Sequence, residues 1–115
     1  MTTFGAELRA LSPGHCRIAA PVTPAVTQQH GVAHAGLTFA IGDSAAGYAA
    51  LTLMEPEREV MTVEMKINLL APGAGPELVA TGEVVRAGRR LMVVRAEVAS
   101  ASGTVALLQG TMIPV

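Results

Sequence analysis

The chain has 115 residues and a mass of 11.8 kDa, enough for one domain with a single core and too short for two ordinary domains. Half of its residues are hydrophobic, only 15% are charged and the mean hydropathy is +0.45, so a small monomer could not bury all of this apolar surface and self-association is expected. A net charge of -1, no Trp, one Tyr and two Phe argue against a nucleic-acid-binding protein, which needs a basic surface and usually aromatic side chains for stacking.

The N-terminal part of the chain predicts an opening strand and a cytoplasmic location. The first residues, MTTFGAELRALSPGH, contain no basic segment followed by an apolar run, so no secretory signal is expected. Cys16 is the single cysteine and cannot form an internal disulfide, which favours a reducing compartment. In HCRIAAPV, Cys16 alternates with Ile18 and Ala20, so we expect a strand with a buried thiol rather than a nucleophile.

Residues 35–53, AGLTFAIGDSAAGYAALTL, form the longest apolar stretch and are small or apolar on every side of a helical wheel, apart from Thr, Ser and one Asp. Three glycines, a central carboxylate and weak flanking charge favour a buried central helix over a membrane span. Pro56 ends this helix, because the residue before a proline disfavours the helical conformation.

Four segments with an alternating pattern follow the helix. They are VMTVEMKINLL, with Met61, Val63, Met65, Ile67 and Leu69 predicted on one face, then ELVATGEVVR, LMVVRAEVAS and TVALLQGTMI. Turns are predicted in residues 72–76, at 87–88 and at 102–103. Short connections require antiparallel pairing, and the helix is the one element that can cover the apolar face. We therefore predict one α+β domain over residues 1–115, with a sheet of about five strands wrapped around a long central helix.

Asp43 is the only aspartate and lies in the middle of the predicted helix, one turn from Phe39 and Gly47. A carboxylate buried there costs several kcal/mol unless it is paired or hydrogen-bonded. Two interpretations follow from the residues alone. Asp43 is either a functional acid or a structural one that bonds a backbone group or lies on a solvated stripe of the helix.

The loop TQQHGVAHAG precedes the helix, whose first amides belong to Ala35 and Gly36. Unpaired amides at a helix N-terminus carry partial positive charge suited to an oxyanion. Eight residues separate Ala35 from Asp43, which is about 12 Å of helix. One helix therefore cannot bring both groups within about 3 Å of one reacting carbonyl. If the two groups cooperate, they come from two copies of the chain.

The segments QQHGVAHAGLTFAIGDSAAGYAA, VEMKINLLAP and VVRAGRRLMVV resemble the hotdog-fold acyl-CoA thioesterases of the PaaI type, which are associated with phenylacetate degradation. The likeness extends from about residue 13 to residue 115. It implies that Asp43 is the general base or nucleophile and that the Ala35 amide forms the oxyanion hole. It also implies that Gln28 orients the carbonyl or water and that Thr62 helps to hold the water.

The resemblance implies further substrate contacts. His34 shapes the loop by hydrogen bonding, with a purely structural role as the alternative, and Gly36 lets the helix start approach the substrate. The small residues around Gly47 leave room near Asp43 for either an aryl ring or an aliphatic chain. The family usually has Gly at the position of Ala35, and a Cβ there disfavours a positive φ.

Four of the eight basic residues lie close together, at positions 86, 89, 90 and 95. They form either a solvated hairpin tip or a site for the phosphates of coenzyme A, which guanidinium groups match in charge and geometry. The resemblance favours phosphate binding for Arg89 and Arg90. His30 and His34 are four residues apart, but the loop around them and the lack of a third ligand argue against a metal site.

The sequence thus predicts a cytoplasmic acyl-CoA thioesterase without metal or organic cofactor, working as a homodimer or dimer of dimers. One alternative is an acyl-CoA-binding protein without activity, for which Ala35 is the hint. A second alternative is an enoyl-CoA hydratase. The lack of any histidine after His34 argues against it.

Overall fold

The computed structural model describes residues 5–23 and 32–115, and within these ranges the chain forms six strands and one helix. The elements are β1 (Glu7–Ser12), β2 (His15–Pro21), α1 (Ala35–Leu51), β3 (Val60–Leu69), β4 (Glu77–Ala87), β5 (Met92–Ser100) and β6 (Gly103–Pro114). Neighbouring strands pair antiparallel in the order β1-β2-β4-β5-β6-β3, which leaves β1 and β3 at the two edges. The predicted architecture of one helix on an antiparallel sheet is confirmed, with six strands rather than about five.

The sequence pattern missed β1. This strand, ELRALS, is exposed along most of its length, so it has no buried face to produce an alternating pattern. It is held by pairing with β2 and by Arg9, whose Nη1 and Nη2 donate to the two carboxylate oxygens of Glu77 at 3.0 and 2.9 Å. This bidentate contact lowers the pKa of Glu77 and ties the edge strand to the start of β4.

The helix α1 lies across the inner face of the sheet. Its buried residues are Leu37, Thr38, Ile41, Gly42, Ala45, Ala46, Gly47, Ala49 and Ala50. The helix and sheet come so close that a Cβ at Gly82 of β4 would overlap the backbone of Ala45. However, Phe39 and Tyr48 are 37% and 44% exposed. The predicted central helix is therefore confirmed, with the sheet covering one side of it and Phe39 and Tyr48 exposed on the single chain.

The helix ends at Leu51, earlier than the predicted stop at Pro56. Thr52 caps it: its hydroxyl donates to the Ala49 carbonyl at 2.6 Å and accepts from the Gly14 amide at 2.7 Å. In the ranges that the structure describes, no helix is both long enough and apolar enough to cross a membrane.

The strand β3 contains a bulge that the sequence pattern did not reveal. Its register with β6 shifts between Thr62 and Glu64, so Val63 is an extra residue in the strand. As a result Thr62 and Met65 are half-buried, whereas Met61 and Val63 are more than half exposed. The predicted apolar face through Met61 and Val63 is wrong, because the bulge changes which side chains turn towards α1.

Candidate active site

Helix α1 and edge strand β3 meet at Asp43 and Thr62. The Thr62 hydroxyl donates a hydrogen bond to Asp43 Oδ1 at 2.8 Å, and its oxygen lies 3.9 Å from the Sδ atom of Met112. Both Asp43 and Thr62 are half-buried, so the acid is less enclosed than the sequence predicted. A carboxylate has two acceptor oxygens. The bond to Thr62 therefore orients Asp43 through one oxygen and leaves the other for water or a substrate.

The interior beside this pair is formed by a glycine and a methionine. Gly47 lies one turn after Asp43 and is buried. A Cβ at Gly47 would lie 3.7 Å from Met112 Sδ and 3.8 Å from Val60 Cγ1, which is ordinary van der Waals contact. Gly47 thus faces the inner side of the sheet next to Thr62. Its role in leaving room for an acyl group stays a prediction.

The first turn of α1 presents donors at the surface. His34 is the N-cap, and its Nδ1 accepts a hydrogen bond from the Gly36 amide at 2.9 Å, while its carbonyl accepts from the Leu37 amide at 2.9 Å. No residue within 5–23 or 32–115 accepts from the Ala35 amide. His34, Ala35 and Gly36 are all exposed. The Ala35 N–H therefore belongs to an exposed residue and has no acceptor among the described residues.

The Cβ of Ala35 causes no backbone strain. Ala35 is the first residue of α1, and within the described ranges the only residue other than glycine with a positive φ is Glu57. The expected penalty for replacing a glycine at this position is therefore absent. Gly36, in contrast, has a reason to be glycine, since a Cβ there would lie 3.1 Å from His34 Nδ1 and crowd the cap.

One chain does not bring the acid and the helix N-terminus together. Ala35 and Asp43 belong to the same continuous helix, eight residues apart, and a rise of 1.5 Å per residue separates them by about 12 Å. The start of the helix follows Ala33, whose amide donates to the Gly73 carbonyl, whereas Asp43 contacts β3. These two groups are therefore separate features of the protomer.

The arginines proposed for phosphate binding differ from Arg9 and Arg95 in whether they form ion pairs. Arg9 and Arg95 bind carboxylates, Arg95 through Glu83. In the described part of the chain, Arg89 and Arg90 have no carboxylate within 4.0 Å and are exposed in the loop between β4 and β5. Arg89 lines a cavity of about 270 Å³ at the end of α1, and Arg90 does not.

The remaining candidates from the sequence are two residues of the loop before α1 and the single cysteine. Gln28 and His30 lie outside the described residues. Cys16 is fully buried and burial raises the pKa of its thiol, which confirms the prediction of a core cysteine. Over residues 5–23 and 32–115, no three His, Cys, Asp or Glu side chains are grouped so as to hold a metal ion.

Sequence reasoning missed Met112 and Arg58. The position of Met112 beside Thr62 depends on the register between β3 and β6, which leaves no local signal in the sequence. Arg58 lines the same cavity as Arg89. It lies between Glu57 and Glu59 in a charged segment after the helix, and nothing in this pattern points to a site.

Comparison with known proteins gives consistent matches. Residues 30–107 match a family model described as the Thioesterase superfamily. The crystal structure of a thioesterase family protein from Silicibacter pomeroyi is 40% identical with a TM-score of 0.96, covering 100% of this chain and 88% of that chain. The structure of a mutant of the phenylacetic acid degradation protein PaaI from Thermus thermophilus is 31% identical with a TM-score of 0.89, covering 98% and 96%.

Curated relatives match over most of this chain. The 1,4-dihydroxy-2-naphthoyl-CoA hydrolase of Listeria monocytogenes is 29% identical over 91 residues, which are 79% of this chain and 74% of that protein. Two proteins of Saccharolobus solfataricus, both named as esterases, are 32% and 33% identical over 79% and 81% of this chain. The chain spans 60% and 66% of their lengths, less than two thirds of either.

Proposed function

The chain belongs to the thioesterase superfamily and has the hotdog fold of PaaI-type thioesterases, and on this premise we propose that it hydrolyses acyl-CoA thioesters to the free acid and CoA. The observation that carries the proposal is the 2.8 Å hydrogen bond from Thr62 to Asp43. It orients the chain's only aspartate in a half-buried position next to an edge strand. The relative named as a naphthoyl-CoA hydrolase supports CoA as the thiol carrier.

In the proposed reaction Asp43 acts on the thioester carbonyl carbon. As general base it takes a proton from a water molecule whose oxygen attacks that carbon, and as nucleophile it attacks the carbon itself. The tetrahedral intermediate then collapses and the carbon–sulfur bond breaks; in the general-base version the CoA sulfur takes up the proton that Asp43 removed from water. In the nucleophile version the thiolate takes a proton from solvent, and water then hydrolyses the mixed anhydride between Asp43 and the acyl group to the free acid and the Asp43 carboxylate. Thr62 donates to Oδ1, and Oδ2 has no hydrogen-bond partner among residues 5–23 and 32–115, so we assign the reaction to Oδ2 in either version.

The proposed oxyanion hole is the amide of Ala35 from a second subunit. That amide lies about 12 Å along the helix from its own Asp43, so it cannot reach the carbonyl at which its own Asp43 reacts. Two observations support a second copy: β3 is an edge strand beside Asp43, and Met61 and Val63 on it are exposed. We propose a homodimer, or a dimer of dimers, with two equivalent sites. The side chain of Gln28 would orient the reacting carbonyl or water.

The remaining sequence-based roles complete the proposal. His34 and Gly36 shape the start of the helix around the substrate, and Arg89 and Arg90 bind CoA phosphates. Aryl-CoA thioesters of the kind met in phenylacetate degradation and medium-chain acyl-CoAs are both candidate substrates. The proposed site of action is the cytoplasm. The chemistry asks for no metal or organic cofactor besides the CoA of the substrate, because water and a carboxylate supply the proton transfers.

The proposal is tested by measuring hydrolysis rates for a panel of aryl- and straight-chain acyl-CoAs. A thiol reagent follows the release of CoA. We expect the wild-type protein to release thiol from at least one class and Asp43→Ala to lose nearly all of this activity while keeping its circular dichroism spectrum. Glu57→Gln, which changes an exposed acid in the segment between α1 and β3, serves as the control and should keep full activity. Saturable acyl-CoA binding without thiol release would instead identify a binding protein without activity. An Asp43→Ala variant with wild-type rates would refute the role of Asp43.

A further inference from the structure

Phe39 is a large apolar side chain on the side of α1 that the sheet leaves uncovered. It is 37% exposed, and within residues 5–23 and 32–115 the buried core does not include it. More apolar surface lies nearby, because Met61 and Val63, on either side of Thr62, are 52% and 56% exposed. Thr62 holds Asp43. Exposed apolar side chains therefore lie on both the helix and the strand that meet at Asp43.

Phe39 lies midway between the two groups of the proposed reaction. It is four residues after Ala35 and four residues before Asp43, which is about 6 Å along the helix axis from each. Every four residues the helix turns about 40° beyond a full turn, so the three residues follow one another along one side of α1. Phe39 is thus central between the amide and the acid both in height and in direction.

A twofold axis that exchanges the acid and the amide passes close to Phe39. In the proposed site Asp43 of one copy and the Ala35 amide of the other copy act on the same carbonyl, and an isologous dimer repeats this contact in reverse. The two α1 helices then run antiparallel across the axis. Each residue on this side of the helix faces a residue equally far from the midpoint on the other helix. The residue at the midpoint, Phe39, faces its own copy.

We propose that Phe39 packs on Phe39 of a second copy of this chain at the twofold axis of the dimer. The inference rests on the proposed function and adds the position of the axis and the residue that lies on it. Two aromatic rings brought together in this way stack with an offset or meet edge to face, both favourable arrangements. The neighbouring Gly36 and Ala40 are small, which leaves room for the rings between helices whose axes are about 8–10 Å apart.

This contact makes Phe39 a positioning residue. It touches no reacting atom, and it sets the separation and the register of the two helices. Those two quantities determine how far the Ala35 amide of one copy lies from Asp43 of the other copy. A shift of one helix by a fraction of a turn would move the amide out of hydrogen-bonding distance of the carbonyl oxygen.

Thiol cross-linking tests whether residue 39 faces its own copy. Cys16 is fully buried, so Phe39→Cys has one accessible thiol. Treatment with a short bismaleimide should give a covalent dimer on a denaturing gel, and mass spectrometry should find residue 39 joined to residue 39. Tyr48→Cys is the matched control. Tyr48 is 44% exposed on the same helix, but nine residues turn the helix by about 180°, so it points away from the axis and should not cross-link.

A second measurement keeps the aromatic ring in the comparison. Phe39→Ala should raise the dissociation constant of the dimer about tenfold in analytical ultracentrifugation, since both rings of the contact are lost. Phe39→Tyr should restore the wild-type value, and Tyr48→Ala should not change it. At protein concentrations where the Phe39→Ala variant is dimeric, its kcat should still be several-fold below wild type, and Phe39→Tyr should recover kcat. A residue needed only for folding would not produce this loss in a folded dimer.

The inference is overturned if Phe39→Cys gives no covalent dimer in samples that sediment as dimers, or if Tyr48→Cys cross-links equally well. It is also overturned if Phe39→Ala dimerises like the wild type. Cross-linking through residue 39 in a protein that hydrolyses no thioester would refute the proposed function alone. Thioester hydrolysis by a dimer that does not cross-link through residue 39 would refute this inference alone.

Discussion

The middle and the start of helix α1 present opposite chemical groups in different surroundings. Asp43 is half-buried and fixed by Thr62 of the same chain, whereas the Ala35 amide is exposed and has no acceptor among the residues that the structure describes. The fold of one chain thus positions the acid completely. The Ala35 amide acquires an acceptor only when a substrate binds. In our proposal that acceptor is the carbonyl oxygen of a substrate that reacts at Asp43 of a second subunit. Substitutions at both regions should therefore lower kcat, with the larger loss at Asp43.

The largest effect is expected at the middle of the helix. Asp43→Asn keeps the shape of the side chain but removes the group that takes the proton, so kcat should fall by about 10²–10⁴-fold. The variant should keep the wild-type melting temperature within a few degrees, because the amide oxygen still accepts from Thr62. Steady-state kinetics and thermal unfolding measure both quantities. A fall in stability that matches the fall in activity would make Asp43 a structural residue.

A comparable but smaller effect is expected at the start of the helix. Ala35→Pro removes one amide donor and should lower kcat by about 10²–10³-fold, which is typical for loss of an oxyanion donor. Proline is well tolerated at the first position of a helix, and the preceding His34 has φ -63° and ψ 142°, a conformation compatible with a following proline.

Ala35→Gly is the control for this substitution. It keeps the amide and should keep the wild-type rate, because Ala35 has an ordinary helical backbone that gains nothing from glycine. Wild-type kcat in folded Ala35→Pro would exclude this amide from the reaction.

Loss of the Thr62 hydroxyl should have an intermediate effect on rate. Thr62→Val keeps the shape of the side chain but leaves Asp43 without its 2.8 Å donor, so kcat should fall about tenfold, in line with one hydrogen bond to a charged group. Thr62→Ser restores the hydroxyl and should recover most of the rate. Equal rates for the valine and serine variants would show that the bond does not position Asp43.

The smallest effect concerns the helix cap. His34→Ala removes the acceptor of the Gly36 amide and should lower the free energy of unfolding by about 1 kcal/mol, as for other N-caps. Denaturant titration measures this change. His34→Asn provides another acceptor at the same position and should unfold like the wild type. Indistinguishable stability of the alanine and wild-type proteins would mean that the cap contributes nothing.

The sequence predicted those features that follow from local periodicity. Alternating apolar residues predicted β3 to β6, and the apolar stretch before Pro56 predicted α1. The bulge at Val63 was not predictable, because Met61 and Val63 are apolar and continue the alternation on the wrong face. The strand β1 was missed because it has no buried face.

The site was only partly predictable for a related reason. Asp43 stands out as a lone acid in an apolar helix, and Thr62 was identified through family resemblance. In contrast, Met112 beside Thr62 and Arg58 beside Arg89 depend on strand register and on how a loop folds back. No pattern of neighbouring residues carries this information.

Subunit complementation tests most directly whether the acid and the amide of one site come from different chains. Asp43→Ala and Ala35→Pro subunits, each nearly inactive, are unfolded together in equal amounts and refolded. Random pairing makes half of the dimers mixed, and each mixed dimer has one intact site, so activity should recover to about a quarter of the wild-type value. Activity that stays at the average of the two separately refolded variants would contradict a site shared between subunits.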